Sequence, residues 1–229
     1  MYQLILNLLL QNEAVLRYVS STQWMTVFCV LCLVILAVTR MLYDYRFLNF
    51  VQLFISDKYL LLERNQNDLS SPFTVLLISV QIIAASLFIH LFLSAFQPYL
   101  LSSSFLSFIQ ILALYSLFVI GKLLIEKIVG SIFMIDGIMD SYLFIKTSYR
   151  NYVGLFILFI TILLIYTLEP TQKLYTIIGV ALFFSHLIIM ISIFRKYNSL
   201  ISQHLFYFIL YLCALEIAPY MILYKVIMR

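Results

Sequence analysis

The sequence has few of the residues that interrupt helices or cover a water-soluble surface. Glycine occurs 5 times and proline 4 times in 229 residues, and only 10% of the residues are charged. Soluble domains carry about 25% charged residues, so this composition excludes an ordinary water-soluble domain. Because glycine and proline mark turns and helix ends, their scarcity indicates short loops and few broken helices.

Residue patterns for catalysis, metal binding or redox chemistry are also lacking. Cys29 and Cys32 form a C-x-x-C pair, but it lies within an apolar run, VFCVLCLVILAV. Thiolate chemistry requires a polar, electropositive setting, so we expect both cysteines to be small packing residues. No two of the three histidines share a helix face as metal ligands do, and no nucleophile elbow, phosphate loop or H-E-x-x-H motif occurs. The sequence predicts no catalytic residue, metal or cofactor.

The positive charge is spread thinly along the chain. The net charge is +4, and the basic residues are scattered among predicted helix ends rather than clustered. Nucleic-acid binding proteins show a basic patch or a recognisable motif, and neither is present. We therefore expect no nucleic-acid partner.

Long apolar segments dominate the chain. Hydrophobic residues make up 64% of the sequence, and the mean hydropathy is +1.06. Runs of about 20 apolar residues are typical of transmembrane helices, whereas barrel strands alternate in segments of about ten. The sequence predicts one all-α transmembrane domain, residues 1–229, which is a polytopic bundle of about six helices. The predicted segments are an amphipathic N-terminal segment at 1–23 and helices at about 24–42, 73–96, 103–120, 153–168, 174–194 and 205–227.

The distribution of basic residues orients these helices. Segments 40–72, 121–152 and 195–204 together hold ten of the fourteen lysines and arginines, and the opposite side holds four. Because cytoplasmic loops carry the excess of lysine and arginine, we expect these three segments in the cytoplasm and both termini outside.

Two cytoplasmic segments, 43–64 and 121–147, are too apolar to be plain loops. In the first, polar residues recur at helical spacing on one face, which indicates a helix that lies in the interface or packs under the bundle. The second has too many charges to cross the bilayer cheaply. We expect an in-plane helix there, broken near Gly130 or Gly137. Its candidate interfacial residues are Lys122, Lys127, Asp136 and Asp140.

The pair Asp136 and Asp140 also has a possible catalytic or metal-binding reading. Two carboxylates four residues apart share one helix face, as in acid–base pairs and magnesium sites. No companion acidic set or arginine cluster accompanies them. The lack of these companion residues favours a solvated polar face.

Glu216 stands out because it is a carboxylate 11 residues into the last predicted helix. A carboxylate near the bilayer centre is either protonated or paired. Pro219 frees a backbone carbonyl one turn away, and His186 of the preceding helix lies at a similar depth. Tyr220 shares the face of Glu216. These residues form a proton or ion site, or else Glu216 makes a hydrogen bond that holds the last two helices together; we favour the second reading.

His90 is a further titratable side chain within a predicted span. It stands alone among apolar residues toward the outer third of the second predicted helix. A single histidine in that setting is typical of a hydrogen-bonded contact between helices rather than of a metal ligand.

The segment LYLCALEIAPYMILYK resembles the C-terminal signature of an uncharacterised multi-pass inner-membrane family of the Bacteroidota, a domain-of-unknown-function family. The family ending, I-L-Y-x-C-A-L-E-I-x-P, corresponds to Ile209–Tyr211, Cys213–Ile217 and Pro219. Weaker similarity precedes it at Lys122, Lys127, Ile132, Phe133, Gly154 and Phe194–Tyr197. The resemblance implies a bacterial inner-membrane protein, and it implies no reaction. In such a membrane, the termini that the basic residues place outside would be periplasmic.

Three functions remain in view at this point. The first is a non-enzymatic membrane subunit or scaffold of a cell-envelope complex, with the lipid bilayer and other membrane proteins as partners. The phylum carries protein-secretion and gliding machinery, which makes those complexes a candidate setting. The second is a small transporter or lipid-handling protein that uses Glu216 and His186. The third, and weakest, is a membrane enzyme that uses Asp136 and Asp140.

Overall fold

The computed structural model describes residues 23–51, 71–96, 104–132, 136–166 and 172–201. These residues form six helices and, within those ranges, no strand. In chain order the helices are α1 (Gln23–Leu42), α2 (Asp44–Val51), α3 (Pro72–Phe96), α4 (Ser104–Ile132), α5 (Asp136–Tyr166) and α6 (Gln172–Ile201).

Five of the described helices are long and apolar enough to cross a membrane. The spans are Gln23–Leu42, Pro72–Phe96, Phe105–Ile132, Met139–Tyr166 and Gln172–Ile189. The predicted all-α, polytopic class is therefore confirmed. The predicted N-terminal segment at 1–23, apart from its last residue, and the predicted sixth span at 205–227 lie outside the described residues.

Helix α3 is the central element of the described bundle. It packs against α1, α4 and α5. In its apolar 18-residue stretch 56% of the residues are buried, whereas in that of α4 only 11% are buried. A helix that is apolar all round is suited to such a position. Its small residues Ala84, Ala85 and Ser86 are buried, which lets neighbouring helices approach closely.

Helices α3 and α5 pack along a shared seam. Gly154 of α5 lies against Gln81 of α3, and Leu158 packs in one cluster with Ala84. Further along, Leu164 and Phe88 share another cluster. The contacting positions rise together in both helices, so the two helices run in the same direction.

Both cysteines of the C-x-x-C pair are buried packing residues in α1. Cys29 packs in a cluster with Met25, Leu87 and Phe108. Cys32 packs with residues of α3 and α5, and neither thiol forms a disulfide. The packing role predicted for these two residues is confirmed.

The first part of the 43–64 segment forms the short helix α2. The backbone bonds Tyr43 N to Thr39 O (3.0 Å) and Phe47 N to Tyr43 O (2.8 Å) carry the chain from α1 into it. Phe50 is fully buried, and its ring lies 6.1 Å from those of Phe73 and Tyr152. Packing of Phe50 thus attaches α2 to the bundle, and residues 52–64 lie outside the described range.

The 121–147 segment differs from the separate in-plane helix that the sequence predicts. Helix α4 continues through Gly121 and Gly130 to Ile132, and α5 starts at Asp136 and continues to Tyr166. The charged stretch therefore forms the C-terminal end of α4 and the N-terminal end of α5. With 29 and 31 residues, these helices are roughly 43 and 46 Å long, whereas the hydrocarbon core is about 30 Å thick. The charged turns extend to its edge and beyond.

Candidate functional site

A buried ion pair joins the C-terminal half of α4 to the N-terminal half of α5. Lys146 Nζ donates a hydrogen bond to Glu126 Oε1 at 2.7 Å. The Glu126 side chain is 0% exposed and that of Lys146 is 14% exposed. The ammonium also lies 5.5 Å from the centre of the Tyr142 ring. Opposite charges in contact reduce the cost of placing each inside the bundle.

A second polar contact connects α3 to α4 and α5. Gln81 Nε2 donates to the Tyr115 hydroxyl oxygen at 2.7 Å, and Gln81 is only 2% exposed. Gln81 also lies against Gly154 of α5, so this hydrogen bond is formed where three helices pack together.

Helical spacing connects the two contacts into one polar region. Lys122 and Glu126 are four residues apart on α4, and Tyr115 precedes Lys122 by seven, so the three share a face. Lys146 and Arg150 are four residues apart on α5. Both Lys122 and Arg150 are half-buried. We call Lys122, Glu126, Lys146 and Arg150 the hairpin charge cluster.

Several buried oxygen atoms of α3, α4 and α5 have no hydrogen-bond partner within the described part of the chain. They are Gln81 Oε1, Glu126 Oε2, Asn151 Oδ1 and the hydroxyls of Thr147 and Thr161. Buried acceptors are normally satisfied by protein or ordered water. By contrast, other hydroxyls donate to the carbonyl four residues earlier in their own helix, as Ser86 does to Ile82 and Ser148 to Phe144. The first set can therefore accept hydrogen bonds from water or a ligand.

His90 of α3 lies among aromatic side chains of α1 and α4. Its side chain is 1% exposed. The ring is edge-on to Trp24 at 5.2 Å and to Phe108 at 6.2 Å. These rings connect α3 to α1 and α4 at this point, and the hydrogen bond that the sequence predicts for His90 stays a prediction.

The structure brings together only some of the site residues predicted from the sequence. Lys122 belongs to the hairpin charge cluster, whereas Lys127 is exposed on another face and Asp140 is half-buried. Asp136 begins α5, but its side chain lies outside what the structure describes. The same holds for the side chain of His186 in α6. Glu216, Pro219 and Tyr220 lie outside the described residues, so their proposed arrangement stays a prediction.

No metal centre is evident in the part of the chain that the structure describes. Within it, no three side chains of His, Cys, Asp or Glu converge as metal ligands would.

Sequence reasoning missed the partners Glu126, Lys146, Arg150, Gln81 and Tyr115. A signal was present, because Lys122 and Glu126, like Lys146 and Arg150, have the i,i+4 spacing of one helix face. Charges such as Lys122 and Glu126 also make a spanning helix costly, which is why the sequence predicts an in-plane helix there. The pairing of α4 with α5, which brings opposite charges together, could not be obtained from the spacing alone.

Comparison with known proteins gives one match. A family model described as "Domain of unknown function (DUF4271)" matches residues 25–227. A search of curated proteins and of solved structures finds no match to the chain.

Proposed function

The chain belongs to the DUF4271 family of domains of unknown function, and from this premise we propose that it is a non-enzymatic membrane subunit or scaffold of a bacterial cell-envelope complex. The chain is a multi-pass membrane protein, and the described residues form helices without a separate soluble domain. Its contacts with other molecules are therefore made largely within the bilayer.

The observation that carries this proposal is a ridge of large apolar side chains on the outer face of α4. Its members are spaced three to four residues apart, or twice that, and are 56–70% exposed: Leu106, Leu114, Leu117, Leu124, Ile128 and Ile132. Side chains repeated at this spacing form a ridge that fits the groove of another helix. Because the inward face of α4 is already used by α3 and α5, this outer face can receive a partner helix.

The location and source of the protein are finer parts of the same proposal. We place it in the inner membrane of a member of the Bacteroidota, with both termini periplasmic. The support is the excess of lysine and arginine in segments 40–72, 121–152 and 195–204 and the C-terminal ending L-C-A-L-E-I-x-P at Leu212–Pro219. The secretion and gliding machineries of that phylum are the complexes in which to search first.

The proposal is tested by purification and by site-specific crosslinking. The tagged full-length protein, extracted in mild detergent, should retain the same membrane proteins in repeated preparations, identified by mass spectrometry. A photo-crosslinking amino acid at Leu117, which is 70% exposed, should capture one of them. The same group at Leu143, which is 0% exposed, should react only within the chain. Purification without partners, and no crosslink from Leu117, would contradict the proposal.

A second candidate function is a small transporter or lipid-handling protein. It is supported by the ion pair of Glu126 and Lys146, because ionisable residues within membrane helices often mark a substrate or proton path. The predicted Glu216 and His186 site would belong to the same function. In the native host, a Glu126→Gln variant that keeps normal abundance and partners but loses the growth phenotype of the wild type would favour this candidate over the scaffold.

A further inference from the structure

We propose that the last predicted span of this chain, residues 205–227, packs against the exposed side of α6 and so completes the bundle from within the chain. This inference goes beyond the proposed function, because it holds whether or not a partner protein binds. It depends on a side of α6 that the described helices leave open, and on the length and position of the chain that follows α6.

One side of α6 is covered by the described bundle. Tyr175 is 2% exposed and packs in a cluster with Phe88 of α3 and Leu164 of α5. Ile178 and Leu182, three and seven residues further along α6, pack against the same cluster. Residues at this spacing share one side of a helix, so α3 and α5 occupy that side of α6.

The opposite side of α6 carries large apolar side chains that stay exposed. Only 6% of the residues in the apolar 18-residue stretch of α6 are buried, which is less than in any other described span. The exposed residues follow spacings of three, four and three: Ile177 (65%), Val180 (49%), Phe184 (58%) and Leu187 (38%). We call these four residues the outward face of α6. Apolar side chains at this spacing form the seam along which two helices of a bundle pack.

Exposure to lipid does not by itself require a protein neighbour, because lipid tails are as apolar as these side chains. Glu216 supplies the requirement, since it lies in the middle of the predicted span 205–227. Ionisable residues within membrane helices almost always face other helices or a water-filled cavity. The span that contains Glu216 is therefore expected to pack against protein on at least one side.

The connection between the two spans identifies which helix is the neighbour. Helix α6 has 30 residues and extends to Ile201, which is about 45 Å of helix, so its end is beyond the hydrocarbon core of about 30 Å. Only residues 202–204 separate it from the next apolar run. That run, 205–227, is about 34 Å long as a helix, and it stays in the bilayer only if the chain turns back.

A connection this short keeps the returning span beside α6. Three intervening residues bridge at most about 14 Å, and the axes of packed helices lie about 8–10 Å apart. Helices joined by so short a loop are antiparallel neighbours. The family model continues through residue 227, so the span belongs to the same domain as the described helices. Because α3 and α5 cover one side of α6, the outward face is the surface left for it.

The two spans also match in depth. The apolar run predicted for α6, residues 174–194, is centred on Phe184, and the run 205–227 is centred on Glu216. Both centres lie near the midplane if the two runs cross the same hydrocarbon core. The segment around Glu216 is therefore placed level with Phe184.

Photo-crosslinking in the full-length, membrane-embedded protein tests this arrangement. Benzoylphenylalanine in place of Phe184 should crosslink within the chain, and mass spectrometry should locate the second site in a peptide from residues 205–227. The same group at Leu117 of α4 is the matched control, because Leu117 is also exposed, at 70%. From Leu117, no crosslink to that peptide is expected.

Thermal unfolding in detergent measures the same contact without a crosslink. Phe184→Ala should lower the unfolding midpoint by roughly 5 °C or more, because it removes an aromatic side chain from a packed interface. Leu117→Ala should shift the midpoint by less than about 2 °C, because its side chain faces detergent in the isolated chain.

Three results would overturn the proposal. The first is a crosslink from Phe184 to lipid alone, and the second is a crosslink to another protein molecule, including a second copy of this chain. The third is an equal midpoint shift for Phe184→Ala and Leu117→Ala. These results concern contacts within one chain, so they are distinct from a failure to capture a partner at Leu117, which would count against the proposed function.

Discussion

Gly154 of α5 lies directly against Gln81 of α3. A Cβ atom at position 154 would be 2.6 Å from Gln81 Cγ, 2.8 Å from its Cβ and 3.1 Å from its Cα. The last of these is a backbone atom, so rotation of the side chain alone would not relieve the contact. The absence of a side chain at 154 is thus what allows α3 and α5 to pack so closely beside the Gln81–Tyr115 hydrogen bond.

Gly154→Ala should destabilise the bundle because α3 and α5 must move apart. Overpacking of this kind typically costs about 1–3 kcal/mol. The measurement is the midpoint of thermal unfolding in detergent. Gly121→Ala provides the matched control: nothing lies within 4 Å of a Cβ there, so that variant should unfold at or slightly above the wild-type temperature. Equal midpoints for the two variants would show that the close approach is unimportant.

Replacement of Glu126 by leucine should be strongly destabilising. The change removes the carboxylate to which Lys146 donates and leaves its cation in the bundle, which costs about 3–5 kcal/mol for a buried pair. The double variant Glu126→Leu, Lys146→Met should recover much of this loss, because both charges are then absent. A thermal unfolding series on the two single variants and the double variant gives the coupling. Additive effects would argue against a direct interaction.

Tyr115→Phe should have a modest effect that depends on Gln81. It removes the acceptor of the 2.7 Å hydrogen bond from Gln81 Nε2 while keeping the ring, and side-chain bonds within membranes are worth about 0.6 kcal/mol on average. In the presence of Gln81→Leu, the same change should cost less. The double-mutant cycle is measured by unfolding in detergent. If Tyr115→Phe lowers stability by the same amount with Gln81 and with Gln81→Leu, the two side chains are not coupled and the prediction is wrong.

The predicted orientation is testable by cysteine labelling in intact cells. In a background with Cys213→Ser, Ser102→Cys should react with a membrane-impermeant maleimide, and Lys127→Cys should react only after the cells are opened. Cys29 and Cys32 are 3% and 0% exposed, so their own labelling should be slow. Rapid labelling of Lys127→Cys in intact cells would reverse the assigned orientation.

Glu216→Gln should preserve abundance and assembly, because the amide can still form a hydrogen bond to a neighbouring helix. Under the scaffold proposal the growth phenotype is also preserved. Loss of function with normal amounts of protein and normal partners would instead indicate proton chemistry at Glu216. Protein abundance by immunoblot and co-purification with partners are the two controls.

The outcome for the helices shows which kind of information the sequence carries. The apolar run at 73–96 predicts α3 to within one residue, since a continuous run of this length can be satisfied only by a spanning helix. The start of α5 was placed 17 residues too late, at 153 rather than at Asp136. The charges of Lys146 and Arg150 indicate a free-energy cost of placing these side chains in the bilayer. They do not show whether a side chain of a neighbouring helix offsets that cost.

The candidate site shows the same limit. The i,i+4 pairs Lys122–Glu126 and Lys146–Arg150 can be read from the sequence, and they place each pair on one helix face. The contact of Glu126 with Lys146, 20 residues away, depends on how α4 and α5 turn toward each other. Gly130, which packs against Met139, and the bond from Gln81 to Tyr115 help to set that rotation, and neither is visible in the periodicity.

The sequence by itself determined that this chain is an all-α membrane protein, because apolar runs of bilayer length can satisfy their backbone groups in lipid only as helices. Only the tertiary structure decided that the charged stretch at 121–147 divides between the ends of two long helices. It also brought Glu126 into contact with Lys146, 20 residues away along the chain. The physical reason is that hydropathy is a property of each segment, whereas the pairing of charges depends on the relative rotation and register of neighbouring helices.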